Sequence, residues 1–228
     1  MDSIMNYFRL LDLSVLELVA YRIVPAILCI TLHELAHGLA AYRLGDDTAK
    51  RLGRLTLNPI KHVDIFGLVM IMSVGFGWAK PVPVDMRRFK NQKQGMAITA
   101  LAGPLMNIFI ACVALLMLGI LTYPLYGSGA LGESILTILY RTARLSTGLA
   151  VFNLIPIPPL DGSKVLFSFL SEEKYDFLMR YERFGMIALM ALLFTGVLDR
   201  PLSFLVGFVF DRLYEIAIFS FDIVMKFV

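Results

Sequence analysis

Cysteine is almost missing from this chain. Only Cys29 and Cys112 occur among 228 residues, and both lie inside apolar runs. That excludes a disulfide framework and equally a zinc site built from several thiolates. Two small buried hydrophobes is the plain reading. A large excess of one charge is missing as well. The net charge is only +3, and the basic residues gather in loops, where they mark topology and leave no nucleic-acid footprint. The start, Met1-Asp2-Ser3-Ile4, lacks a basic stretch, and no small-residue cleavage site follows. The first long helix is therefore expected to be retained. No internal repeat or low-complexity segment occurs.

What is there in abundance is apolar. The chain is 58% hydrophobic with a mean hydropathy of +0.74, against about 45–50% apolar residues in soluble domains. Several runs approach the ~20 residues that cross a bilayer. The expected fold is an all-α polytopic membrane protein with about 5–6 transmembrane helices and a small membrane-associated β element. It is expected to form a single domain over 1–228, with C-terminal helices at about 171–228.

Residues 4–20 mix charges with leucines and read either as an interfacial helix or as outer turns of the next segment. The first clear span is Ile23–Tyr42, and the basic residues from Arg43 to Lys61 place its end in the cytoplasm. Asp64–Ala79 is apolar but short and broken by Gly67, Gly75 and Gly77, with basic loops on both sides. It reads as a re-entrant or surface element, continued by the β-like Lys80–Asp85. Met96–Tyr123 is a clear span, and the loop Pro124–Glu133 has no Lys or Arg and belongs outside. The return segment starts near Ser134, contains Arg141 and Arg144, and is interrupted by three prolines in the four positions 156–159. Ser171–Arg183 is cytoplasmic, Phe184–Leu198 spans again, and a doubtful segment to about Phe221 carries Asp211, Arg212 and Glu215.

The chemistry starts at His33-Glu34-Leu35-Ala36-His37. Two histidines four apart on a helix share a face and can meet one metal ion. The glutamate can take a proton from an activated water. Inside an apolar span such groups cost several kcal/mol unless compensated, which favours metal ligation over a structural role. Catalytic zinc usually takes three protein ligands. His62 is a candidate for the third, or a solvated histidine in a basic loop. Asp161 is a second candidate, or the N-cap of the helix after the proline break.

Depth separates them. His37 lies six residues before Arg43 and Asp161 three before Lys164, which is about 9 and about 5 Å at ~1.5 Å per helical residue. His33, His37 and Asp161 thus fall near one membrane face.

His33-Glu34-Leu35-Ala36-His37-Gly38, followed by Asn153-Leu154-Ile155-Pro156-Ile157-Pro158-Pro159-Leu160-Asp161-Gly162, resembles the site-2 protease family of intramembrane zinc metalloproteases. Lys80-Pro81-Val82-Pro83-Val84 and Ala102-Gly103-Pro104-Leu105-Met106-Asn107 resemble the family's β element and its small-residue span. The likeness covers about residues 20–170. It implies Zn2+ held by His33, His37 and Asp161, with Glu34 as general base and acid. It also implies that Asn153 contacts the substrate or the oxyanion. Asn153 has an alternative, that of satisfying a carbonyl freed by the prolines. Gly103 and Asn107 read as a close-packing pair.

Val82–Val84 is expected to accept an unwound substrate strand by edge pairing. No PDZ or CBS domain fits the short outer loop or the tail. Selection therefore falls to the membrane core or to partners, a homo-oligomer or a regulatory membrane protein among them. The expected activity is intramembrane endopeptidase cleavage of a transmembrane protein or peptide substrate in the cell membrane, with no nucleic-acid partner. The rival is a metal or proton transporter, which would spread its His, Glu and Asp groups across the membrane thickness.

Overall fold

The structure, a computed structural model, describes residues 19–67, 70, 79–180 and 182–228. Most of segment 4–20 and of the expected hairpin at 64–79 lies outside the described residues.

A π-helical turn, Val19–Ile23, leads into helix α1, Val24–Arg43. Pro25 sits in its first turn, where a missing N–H costs nothing. After α1 the chain turns at Gly45, whose φ of 108° suits glycine, into the short α2, Thr48–Arg51. Helix α3, Gln92–Leu125, begins where the Asn91 side chain accepts the Gln94 N–H at 3.1 Å. A tight turn through Gly127 and Gly129, both at positive φ, reverses the chain into α4, Ala130–Asn153. The remaining helices are α5, Asp161–Phe167, α6, Glu172–Arg180, α7, Glu182–Phe194, and α8, Asp199–Met225.

Helix α3 is the hub, packing against α1, α4, α5 and α8. Its Ala111, Ala114 and Leu115 meet Ala143 of α4 and Phe210 and Ala217 of α8 in the buried core. Small residues let the backbones approach closely. A Cβ placed on Gly119 would lie 2.0 Å from Ser220 Oγ and 2.2 Å from the Ala217 carbonyl. Phe210 and Ala217 anchor α8, while Asp211, Arg212 and Glu215 stay exposed. Those charges therefore do not face the bundle. The arginines of α4 are covered by rings: Arg141 lies 5.2 Å from the Tyr21 centroid and Arg144 5.6 Å from that of Phe210. This cation–π cover lets charged heads sit on an otherwise apolar helix.

Two helical segments among the described residues are long and apolar enough to cross a membrane, Tyr21–Arg43 and Gln92–Leu125. A third is reached if α7, from Phe184, and α8 form one broken span, since they meet at 90°. The protein is an all-α membrane protein. The one strand-like pairing among the described residues is an antiparallel bridge between Val63 and Ala79. Residues 80–85 form no ladder, because Pro81 and Pro83 lack N–H donors and the Val82 and Asp85 N–H groups go to the carboxylates of Glu34 and Asp46.

Candidate metal centre

The site is assembled where α1 crosses α3. His33 and His37 point into that contact, both buried, with ring centroids 4.6 Å apart and planes at 86°. On α3, Thr99, Gly103 and Asn107 recur every four residues and so form one stripe. The stripe receives both rings. His37 Nδ1–H donates to the Thr99 carbonyl at 2.7 Å, which leaves its Nε2 bare. The Asn107 amide nitrogen lies 3.1 Å from His33 Nδ1. Between them Gly103 supplies the room. A Cβ there would lie 2.4 Å from His37 Nε2 and 2.6 Å from His33 Cε1. Gly103 and Asn107 thus form the expected close-packing pair, and what they pack against is the two imidazoles.

The third group arrives through the proline break. Helix α4 ends at Asn153, and residues 154–160 turn back with Leu160 N–H donating to Ile157 O at 2.9 Å. Gly162 closes the turn, since a Cβ on it would lie 2.1 Å from the Leu154 carbonyl. Asp161 is the first residue of α5, and no side-chain cap bond is made there; Leu160 holds the cap position. The capping alternative for Asp161 therefore fails. Its Oδ2 lies 3.3 Å from His33 Nε2 and 3.2 Å from His37 Nε2. The two Nε2 atoms are 3.0 Å apart.

These separations fit a zinc ion. Ligand atoms at ~2.0–2.2 Å from a tetrahedral metal stand about 3.3 Å from each other. The three donors, all within 4.8 Å of one another, are the imidazole and carboxylate types that zinc takes. Among the described residues no other group of three such side chains converges.

Glu34 is buried beside the triad and one of its oxygens, Oε2, accepts the Val82 N–H at 2.8 Å. Gly38 allows this approach: a Cβ there would lie 3.2 Å from Val82 and 2.6 Å from Leu55. The extended segment carrying Val82 is pinned at both ends. Arg54 donates to the Lys80 carbonyl at 2.8 Å, and Asp85 N–H donates to the fully buried Asp46 at 2.7 Å. Outside it, Arg51 hydrogen-bonds Asp47 and Arg87 hydrogen-bonds Asp85, each holding its carboxyl below the usual carboxylate value.

Two candidates from the sequence are engaged in other hydrogen bonds. Asn153 Nδ2 donates to the Leu149 carbonyl at 2.9 Å, one turn back on its own helix. The carbonyl it serves is not one freed by the prolines. His62 is neither ligand nor solvated. It is fully buried, and its Nε2–H donates to the Thr56 carbonyl at 2.8 Å. Two partners escaped the sequence altogether, the Thr99 carbonyl and the Val82 N–H. Both are main-chain groups and leave no residue signature.

A His-Glu-x-x-His helix joined by a distant aspartate, among helices of this hydropathy, defines a metal-dependent hydrolase of the membrane. Comparison with known proteins narrows it further. A sequence profile of peptidase family M50 matches residues 122–196. The candidate zinc metalloprotease YwhC of Bacillus subtilis (strain 168) is 37% identical over 181 residues, covering 79% of this chain and 83% of its own. The candidate zinc metalloprotease Rip2 of Mycolicibacterium smegmatis is 31% identical over 190 residues, 81% of this chain and 71% of its own. Rip2 of Mycobacterium tuberculosis (strain H37Rv) is 29% identical over 184 residues, 79% and 69%. No solved structure matches. The chain belongs to peptidase family M50, the site-2 proteases, and is a zinc-dependent metalloendopeptidase. The transporter alternative is thereby set aside.

Proposed function

We propose that this enzyme hydrolyses a peptide bond in or near the membrane span of a protein or peptide substrate, in regulated intramembrane proteolysis. The observation that carries the reading is the convergence of His33, His37 and Asp161 on one point, beside Glu34, within apolar helices. His33, His37 and Asp161 hold the zinc. Bound there, zinc polarises the scissile carbonyl and activates water near neutral pH.

Glu34 is the general base and acid. Val82 N–H fixes one of its oxygens, so the carboxylate keeps one orientation while it takes the proton of the attacking water and passes it to the leaving nitrogen. Asn153 contributes to substrate or oxyanion binding by releasing the Leu149 carbonyl, a bond worth about 1 kcal/mol net.

The chain acts as one multi-pass protease domain of the cell membrane, with its core at about 20–170 and its active site near the cytoplasmic face. Helix α4 crosses beside α3. Its 24 residues span about 36 Å, and a tight turn joins the two helices. Together with α7 and α8 this supports a larger span count than hydropathy alone. Substrate selection rests on the membrane core or on a membrane partner, a second copy included.

The test is direct. Detergent-purified protein is assayed for zinc and for cleavage of a model transmembrane peptide, as wild type, His33→Ala and Glu34→Gln. Zinc is expected in wild type and Glu34→Gln but not in His33→Ala, and Glu34→Gln is expected to lose at least 100-fold in turnover, the low end of general-base contributions of roughly 10²–10⁴. A zinc-free wild type, or a Glu34→Gln enzyme that cleaves normally, refutes the proposal.

A further inference from the structure

The two histidines are supported unequally, and the difference lies in Asn107. His37 gives its Nδ1 proton to a carbonyl oxygen, so its Nε2 is bare and ready for a cation. His33 faces a side-chain amide whose nitrogen, a donor only, lies 3.1 Å from Nδ1. That pairing keeps the ring proton on Nε2, the atom aimed at Asp161 and His37. One nitrogen cannot both carry a proton and bind a metal.

The other end of the same amide resolves the conflict. Asn107 is wholly buried and its Oδ1 has no hydrogen-bond partner. Amide oxygen and nitrogen have nearly the same shape, so a half-turn about Cβ–Cγ exchanges them in place. The turned amide sets an oxygen against His33 Nδ1, which then carries the proton and leaves Nε2 bare. The backbone does not have to move, because Ser146 Oγ–H holds the Asn107 main-chain carbonyl at 2.8 Å.

We propose that Asn107 is a positioning residue for zinc: its side-chain oxygen takes the Nδ1 proton of His33 and so selects the ring form that binds metal. With Thr99, α3 then offers one oxygen to each histidine from a single stripe, two turns apart. The inference rests on His33 being a zinc ligand, and the experiment separates the two.

Full-length protein in detergent is titrated against a zinc chelator and, in parallel, loaded with Co2+ to record its visible spectrum. The variants are Asn107→Leu, Asn107→Asp, Ser146→Ala and His33→Ala. Losing an outer-shell partner of a ligand typically costs 10–100-fold in metal affinity. Asn107→Leu is expected to lose that much and to shift the cobalt spectrum. Asn107→Asp retains an oxygen acceptor and is expected to stay within about threefold of wild type and keep its spectrum. Ser146→Ala removes a packing bond but not the acceptor, and is expected to bind like wild type. If Asn107→Leu fails to fold, Asn107→Ala, smaller and also without an acceptor, takes its place and is expected to show the same loss of roughly 10–100-fold, wild-type affinity overturning the role. Asn107→Leu with wild-type affinity, an Asp variant as weak as Leu, or an equal loss in Ser146→Ala overturns the role of Asn107 alone. Zinc retained by His33→Ala overturns the metal site itself.

Discussion

Adding one methyl group at Gly103 should abolish metal binding while leaving the bundle intact. A Cβ there would lie 2.4 and 2.5 Å from His37 Nε2 and Cε1 and 2.6 Å from His33 Cε1, where ordinary contact begins at 3.4 Å. The differences, 3.4 − 2.4 = 1.0 Å and 3.4 − 2.6 = 0.8 Å, are the distances by which the rings must retreat. Metal–ligand bonds tolerate only about 0.2 Å, and both histidines are displaced together, so neither compensates for the other. Gly103→Ala is expected to weaken zinc binding by more than 100-fold, or about 2.8 kcal/mol at 1.4 kcal/mol per tenfold.

The helix itself favours the change, because alanine exceeds glycine by about 1 kcal/mol in a helix interior. Loss of zinc should therefore come with unchanged helical content. Gly148→Ala on α4 is the control, since nothing lies within 4 Å of its added Cβ. It should bind zinc as wild type does. Chelator competition measures the affinity, and circular dichroism with size exclusion reports the fold. Zinc affinity within threefold of wild type in a folded Gly103→Ala would refute the packing argument.

Two further substitutions separate roles within segment 80–85. Val82→Pro deletes the N–H that serves Glu34 and should cost roughly 1–3 kcal/mol of transition-state stabilisation with zinc retained; full turnover would show that this bond is idle. Val84→Pro leaves the Glu34 contact in place, so a drop in cleavage there reports strand pairing with the substrate, and no change argues against it. Asp46→Ala strands the N–H groups of Asp85 and Thr48. It should lower stability by about 2–4 kcal/mol and speed hydrogen exchange at residues 82–85, a pattern that uniform exchange across the bundle would contradict.

The three residues proposed to hold the metal were legible because their information is in side-chain type and spacing. His33 and His37 announce a shared face through a four-residue interval, and Asp161 announces itself by the cost of a carboxylate after a proline break. What Asn153 touches was not legible, since an amide can turn to any carbonyl in reach, and here it turns to Leu149. Asn107 and Gly103 looked like packing residues because their partners depend on the rotation of α3 against α1, which no local pattern encodes. The anchoring of Glu34 was beyond reach for a stronger reason. Val82 acts through its backbone, and the burial of Asp46 that holds the segment in place is a property of the tertiary fold.

The proline-broken turn has a consequence for how the molecule holds together. It delivers Asp161 to two histidines more than 120 residues earlier in the chain, so a single ion closes a loop containing more than half of the protein. A ligand that binds only the assembled form stabilises it by about 4 kcal/mol at a thousand times its dissociation constant. An ion held there would be a clasp as well as a reagent, tying α5 back to the first span. On that reading, how firmly the helices that follow α5 are seated would depend on whether the ion is bound.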